Sequence, residues 1–491
     1  MLRKIRIILA TVMFVGITLL FLDFTGTMHH WVSWMPKIQF LEALLALNLF
    51  VIVGLVVLTL VFGRIYCSVI CPLGILQDLF GWIGKKTKKT RYTYSEEKRW
   101  LRYPILFIAI VCWLLGIGSV VQLLAPYSAF GRIVTAGFQP LWIWCNNVLA
   151  SIAEHYDSYA FYHVDKTVPN DYVVLTIACL TFLILAILAF QYGRTYCNTI
   201  CPVGTVLSFL SRFSFLKIHF DTEKCKNCSM CTRSCKASCI DYKTHSVDYS
   251  RCVVCGNCIE HCKFGALNYD NATLHTKSHQ EADTGKRSFL LSSALVTTAV
   301  MAQQKEKMMD GGLAEIEDKV APERQTPLTP PGSRSKSNFE QRCTGCQLCI
   351  SECPNQVLRP SSDLLHLMMP TMSYELGYCR PECNRCSEVC PAGAILPLRH
   401  EDKASTQIGH AVFIKKNCVA ITDGVECGNC ARHCPVGAIE MINSDPDDEE
   451  SPMIPAVNEN RCIGCGACEN LCPARPFSAI YVEGHEVHKE V

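Results

Sequence analysis

The chemistry of this chain is carried by its cysteines. Of 32 in 491 residues, 24 fall into six runs of four. The first two runs are Cys225, Cys228, Cys231, Cys235 and Cys252, Cys255, Cys258, Cys262. Four more follow: Cys343, Cys346, Cys349, Cys353; Cys379, Cys383, Cys386, Cys390; Cys418, Cys427, Cys430, Cys434; and Cys462, Cys465, Cys468, Cys472. CxxCxxCxxxC is the ligand spacing of bacterial ferredoxins, in which three thiolates of one run and the last thiolate of another close around each 4Fe-4S cube. The runs therefore predict six 4Fe-4S clusters. Zinc competes for isolated CxxC pairs but poorly for paired four-cysteine runs. The rule joins Cys225, Cys228 and Cys231 to Cys262, and Cys252, Cys255 and Cys258 to Cys235. Lys236 and Lys263 stand where proline usually follows the last cysteine, which touches no ligand, and Cys239 either replaces Cys235 or packs. Each of the last four runs ends in CP, and the stretched gaps CRPEC and CVAITDGVEC cost little loop entropy.

Four other cysteines belong to an internal repeat, GRIYCSVICPLG at Gly63 to Gly74 and GRTYCNTICPVG at Gly193 to Gly204. Each string follows an apolar run, so the two read as structural repeats of a helical hairpin plus a CxxxCP turn. Cys67, Cys71, Cys197 and Cys201 would then converge as a complete ligand set for one further iron-sulfur centre, at the membrane edge. A redox-exchanging dithiol pair, or a capping turn whose cysteines simply pack, are the alternatives. Cys112, Cys145 and Cys179 match no spacing and read as small buried hydrophobes.

These residues need a scaffold, and composition points to a membrane for part of it. The chain is 49% hydrophobic and only 18% charged, against roughly 25% charged in soluble domains. Its formal net charge of +2 and the lack of a basic, aromatic-studded patch exclude nucleic acid as a partner. Apolar runs at Ile5 to Leu22, Phe40 to Phe62, Pro104 to Leu124 and Tyr172 to Phe190 are long enough to span a bilayer. Arg3, Lys4 and Arg6 precede the first. The second and third are joined by a loop carrying Lys85, Lys86, Lys88, Lys89, Arg91, Lys98, Arg99 and Arg102, whereas Ala125 to Asp171 holds only Arg132 and Lys166. The positive-inside rule makes the basic loop cytoplasmic, and alternation leaves the segment after the fourth run there too.

Between the second and third cysteine runs lies KRSFLLSSALVTTAVMA, Lys286 to Ala302. It resembles a twin-arginine export signal with Lys286 in place of the first arginine, an address for export of folded cargo. An ordinary fifth helix is the alternative. The expected fold class is multidomain: an α-helical membrane domain of four helices plus a fifth signal-anchor helix, with α+β ferredoxin-like 4Fe-4S domains on both sides. The expected domains are 1–215 (membrane, two CxxxCP repeats), 216–284 (cytoplasmic two-cluster ferredoxin), 285–303 (signal anchor), 304–338 (a polar tether) and 339–491 (periplasmic four-cluster ferredoxin). The apolar interval Pro360 to Gly377 reads as core or partner surface, the acidic Ser444 to Glu450 as a solvated loop, and the PAGAI and PVGAI tails as helix and strand wrapping a cluster.

WMPKIQFLEALLALNLF, the doubled GRxYCxxICPxG and QLLAPYSAFGRIV at Gln122 to Val134 resemble the NapH/MauN-type quinol dehydrogenase membrane components, with NosR and CcoG as more distant likenesses. The C-terminal part, from Lys286 on, resembles NapG/MauM-type ferredoxin subunits. The resemblance implies a fusion in the bacterial inner membrane, multi-pass, that oxidises quinol and passes electrons through iron-sulfur clusters to a periplasmic reductase or c-type cytochrome. It also implies that the first and fourth C-terminal runs share one pair of clusters and the second and third another, with sequential pairing as the alternative. Quinone residues are fixed by no motif; His29, His30, Tyr127 and Arg132 lie on the expected outer side, where a quinol needs a proton acceptor. Two other functions fit the same parts: outward conduction from a cytoplasmic ferredoxin-type donor, and electron delivery for metalloenzyme maturation of the NosR/CcoG kind. With no CxxCH haem motif and no nucleotide-binding glycine fingerprint, terminal chemistry falls to a partner.

Overall fold

The computed structural model describes residues 2–23, 26–88, 92–158, 161–164, 172–271, 319–448 and 450–490. The expected signal anchor, Lys286 to Ala302, lies outside them.

The first apolar run forms one helix, α1 (Leu2–Leu22). Arg6, Ala10, Met13, Ile17 and Leu20 are buried along it at helical spacing, while Ile5, Ile8, Leu9, Val12 and Val15 are exposed on the other side. After two short helices, α2 (His29–Val32) and α3 (Trp34–Lys37), the second run is split into α4 (Phe40–Leu45) and α5 (Leu49–Phe62). The break has a local cause: Leu47 adopts φ 54°, and the Asn48 side chain accepts a hydrogen bond from Val51 N to start the next helix. The CxxxCP turn contains α6 (Tyr66–Val69) and launches α7 (Pro72–Lys88).

The third run is likewise divided, into α8 (Arg99–Leu114) and α9 (Gly118–Leu124), about Gly116 at φ 79°. α10 (Pro126–Ile133) continues through a π turn into α11 (Gln139–His155). The fourth run is α12 (Tyr172–Tyr192), followed by α13 (Thr195–Thr199) and α14 (Pro202–Ser211). Of the four apolar runs, α1 and α12 alone among the described residues are single helices long and apolar enough to cross a membrane. The repeats interlock: α7 of the first packs on α12 of the second, and α14 of the second packs on α5 of the first. The outside of this bundle is apolar, with Phe50, Val53, Phe107, Ile108, Leu183 and Ile187 among its exposed residues. Cys145 and Cys179 are on that exterior, correcting the expectation that they are buried. An apolar exterior accepts a cysteine as readily as a core does.

The first ferredoxin unit closes with antiparallel strands β1 (Leu216–Phe220) and β4 (Leu267–Asn271) around the small hairpin β2 (Ile240–Asp241) and β3 (Ser246–Val247). Two one-turn helices follow its CxxCxxC loops, α15 (Met230–Ser234) and α16 (Asn257–His261). The second unit carries α17 (Lys336–Arg342), α18 (Leu348–Glu352) and α19 (Arg385–Val389). Its strands pair antiparallel: β5 (Leu358–Pro360) with β6 (Pro370–Met372), β7 (Thr406–Phe413) with β10 (Ile480–Glu490), and β8 (Ile439–Asn443) with β9 (Met453–Val457). The PVGAI tail runs into β8, whereas PAGAI forms only turns. The acidic Ser444 to Glu450 lies in the loop joining β8 to β9.

The two units sit at opposite ends of the bundle. At the N-terminal end of α1, Arg3 pairs with Glu260 at 2.7 Å; near its C-terminal end, Phe21 packs under Gly131, which abuts the Cys346 carbonyl. Twenty-one residues at about 1.5 Å each give about 30 Å between the ends of α1. α8 makes the same passage, from Arg102 on Glu97 to Trp113 Nε1, which donates to Gln341 O at 3.1 Å. α12 starts with Val174 against Leu367 and Met368 and ends where Arg194 N donates to Lys236 O. The apolar interval around Met368 is thus a docking pad for the bundle, with Leu364 and Leu365 left exposed.

The described part of the expected tether is not free. Residues 319–338 strap across the second unit: Asn417 brackets Val320 on both N and O, Arg324 pairs with Glu469, and Leu328 and Ser333 are buried. Its charge content does not keep it free, because the strap buries Leu328 to Ser333 and satisfies the backbone of Val320 and Thr326 on side chains.

Candidate iron-sulfur sites

In five of the six ferredoxin runs the residue after the second cysteine has positive φ and permits the sharp reversal around a cluster: Ser229, Gly256, Gln347, Gly428 and Gly466. The chain then turns into a short helix that ends one or two residues before the fourth cysteine. In the first unit the structure brings Cys225, Cys228, Cys231 and Cys262 around one cavity of about 340 Å³. Cys258, Cys255, Cys252 and Cys235 lie together in a second group. Cys239 is fully buried with its Sγ 3.5 Å from that of Cys235. Its thiol hydrogen bond pulls Cys235 down, and the same contact pushes Cys239 up. Cys235 is therefore the better thiolate of the two.

In the second unit Cys343, Cys346, Cys349 and Cys390 line one cavity of about 340 Å³, and Cys353, Cys379, Cys383 and Cys386 line another of about 380 Å³. Cys434 joins Cys462, Cys465 and Cys468, while Cys418, Cys427 and Cys430 are grouped with Cys472. This corrects the expectation that the first run pairs with the fourth and the second with the third. Pairing is sequential, because α18 packs directly on α19, and the short helix after Cys427, Asn429–Arg432, packs on the one after Cys465, Ala467–Asn470. Four of the six fourth cysteines share a feature: a backbone N–H four to seven residues on donates to Sγ, from Ala266 to Cys262, Ile395 to Cys390, Ala438 to Cys434 and Ala479 to Cys472, at 3.2–3.4 Å. Such donors stabilise thiolates that are bound to iron. Among the described residues no three His, Cys, Asp or Glu side chains close on a single metal ion. The sets instead surround thiol-lined cavities, a donor chemistry that fits 4Fe-4S cubes.

The four CxxxCP cysteines also converge, and all are buried. Arg194 NH1 donates to Cys67 O at 2.5 Å, and Arg64 NH2 donates to Cys197 O at 3.2 Å, so each repeat clasps the other. The glycine closing each motif is required: a Cβ on Gly74 would run into Cys67 O, and one on Gly204 into Cys197 O. Tyr66 OH donates to Gln39 Oε1 and accepts from Phe40 N, and Tyr196 OH donates to Leu124 O. Asp78, on α7, binds Arg194 at 2.7 Å, Arg6 at 2.9 Å and Lys236 at 3.2 Å. Lys236 thus replaces the usual proline in order to reach across to this carboxylate.

The site lies against the first unit: Arg64 donates to Ser250 O at 2.8 Å, and Asn198 Nδ2 donates to Ala237 O at 3.4 Å. Arg6 of α1 marks its near side through Asp78. Gly16 of α1 packs on Met35, whose carbonyl and that of Ile70 share the Gln39 amide.

The residues named for quinone are dispersed in role. Tyr127 is buried beside Cys346, Cys390 and Glu42 with its hydroxyl unpartnered. His29 is in α2 facing Glu388 and Arg385, where burial lowers its pKa; His30 follows it in the same helix. Arg132 is fully buried and donates to the carbonyls of Gln122 and Leu123, closing the C-terminus of α9. Sequence reasoning missed Glu42, which is 1% exposed, lies beside Thr344 and is unpartnered at Oε1. A lone acid inside an apolar run was the available signal.

A family model described as a 4Fe-4S binding domain matches residues 44–90 and 172–221, once on each CxxxCP repeat. A second model of that description matches residues 245–268, and a 4Fe-4S dicluster domain matches 424–475. The methylamine utilization ferredoxin-type protein MauM of Methylobacillus flagellatus is 32% identical over 167 residues, covering 33% of this chain and 70% of that one. The ferredoxin-type protein NapF of Escherichia coli K12 is 30% identical over 162 residues, 32% of this chain and 87% of its own. NapG of the same organism is 28% identical over 175 residues, 33% and 75% respectively.

Proposed function

Because this chain belongs to the ferredoxin-type iron-sulfur protein family that includes MauM and NapF, we propose that it is a membrane-bound electron carrier that oxidises quinol and delivers the electrons to a periplasmic reductase or c-type cytochrome. Six 4Fe-4S clusters, held by the 24 ferredoxin cysteines, would each take up and release one electron at a time. The observation that carries the reading is the arrangement itself, ferredoxin units at both ends of a bundle with an apolar exterior about one bilayer core in length. On the positive-inside assignment the first unit faces the cytoplasm and the second the periplasm.

Quinol oxidised to quinone gives up two electrons and two protons. Glu42 supplies a buried carboxyl to receive a proton, and Tyr127 a hydroxyl to orient the quinol head, both beside Cys346. His29 and His30 would receive protons nearer the surface. Purified protein mixed anaerobically with menaquinol or ubiquinol should lose its iron-sulfur absorbance as the clusters are reduced. Unchanged absorbance with both quinols would overturn the quinol step.

A second reading is favoured by one observation. Cys228 is exposed and Cys225 half-buried on the first unit, an open edge at which a cytoplasmic ferredoxin or flavodoxin can dock and pass electrons outward. Replacing Cys228 should then abolish flux from such a donor while leaving quinol bleaching of the second unit intact.

A further inference from the structure

Where the bundle meets the first unit, three buried or half-buried cations share one carboxylate and a fourth has none. Asp78 must serve Arg6, Arg194 and Lys236 together, and Arg64, fully buried, makes no ion pair among the described residues. Arg64 donates to Asn198 Oδ1, Ser250 O and Cys197 O, all neutral, and its remaining contact is Cys67 Sγ at 3.8 Å. Burying unpaired charge is costly, so the surroundings call for an anion next to the cysteines. The thiols are also approached by donors: Gln77 Nε2 reaches Cys197 Sγ at 3.3 Å, and Gly204 N reaches Cys201 Sγ at 3.4 Å. Cys71 and Cys201 each stand directly before a helix, the 17-residue α7 and the 10-residue α14, whose N-terminal dipoles favour thiolate.

We infer that Cys67, Cys71, Cys197 and Cys201 together hold a seventh iron-sulfur centre inside the bundle, and that it is the relay joining the two ferredoxin units. A four-thiolate iron-sulfur centre carries the net negative charge that the excess of cations requires. Its neighbours connect it both ways. Toward the first unit, Cys67 O contacts Arg194, which binds Asp78, which binds Lys236, next in sequence to the ligand Cys235. Toward the second, Tyr66 adjoins Cys71 and Glu42, and Glu42 adjoins Tyr127 beside Cys346. Each transfer moves one electron, oxidising the centre that it leaves and reducing the one that it enters, with no bond made or broken. A dithiol exchange site would leave the buried cations unanswered.

The inference rests on the electron-carrier reading above but has its own test. Full-length protein, purified anaerobically in detergent, is analysed for iron and acid-labile sulfide. Six cubes hold about 24 irons, and the further centre adds about two to four. The double variant Cys71→Ser/Cys201→Ser should lose those two to four irons and no more. Should that variant not fold, Gln77→Leu keeps the ligands and removes one N–H···S bond; it should lower the midpoint potential of a single centre in a redox titration followed by EPR. Wild-type protein with about 24 irons, or a Gln77→Leu titration identical to wild type, overturns the inference. Quinol that fails to bleach a protein containing the extra irons would overturn the quinol step alone.

Discussion

Arg194 donates through NH1 to the carbonyl of Cys67, 127 residues earlier, at 2.5 Å. That bond fastens the second repeat onto the first, and its symmetry mate from Arg64 to Cys197 fastens the first onto the second. Neither arginine could hold this position if its charge were left to the apolar bundle. Asp78 answers for Arg194, and the cysteines are placed to answer for Arg64.

Asp78 is therefore expected to be the most sensitive uncharged-substitution site in the bundle. Asp78→Asn keeps the size but leaves Arg6, Arg194 and Lys236 without a counter-charge, at a cost of about 3–5 kcal/mol. Thermal loss of near-UV circular dichroism in detergent should shift down by several degrees. An unchanged midpoint would mean that the cations are answered from elsewhere.

Cluster pairing in the second unit is open to a spectroscopic epistasis test. Cys390→Ser and Cys343→Ala should disturb one and the same EPR signal, and Cys353→Ser and Cys379→Ala another. If Cys343→Ala instead shares its signal with a change at Cys472, the first run pairs with the fourth and the packing of α18 on α19 has been misread.

The sign of the pH response follows from His488. Burial lowers its pKa to about 4, while Nε2 lies 2.9 Å from Thr329 Oγ1. The unfolded chain, with an ordinary value of about 6.5, binds the proton more readily, so stability is full above pH 6.5 and declines as pH falls toward 4. The melting temperature of the second unit should drop over that window, and His488→Gln should flatten the decline. A variant with the same slope as wild type would assign the acid sensitivity to other groups.

What the sequence made legible was local. Cysteine spacing marked the runs that come together in groups of four, and the doubled GRxYC string exposed the repeat. What it hid depends on partners far along the chain. The sequential pairing of cysteine runs is decided by helix contacts, the position of the strap by Asn417 and Glu483, and the role of Arg132 by the carbonyls of Gln122 and Leu123 at the end of α9. Lys236 looked like a departure from the ferredoxin pattern until Asp78 was found opposite it. Glu42 was hidden in an apolar run and gains meaning only from Thr344 and Tyr127, which come from two other segments.

The central claim, that one chain links iron-sulfur units on the two faces of a membrane, is tested most directly by sidedness. Intact spheroplasts are treated with an impermeant protease or thiol reagent, and each ferredoxin unit is then probed for cleavage or labelling. The account predicts that residues 319–490 are reached while residues 216–271 react only after lysis. Protection of both units, or access to both, would contradict it.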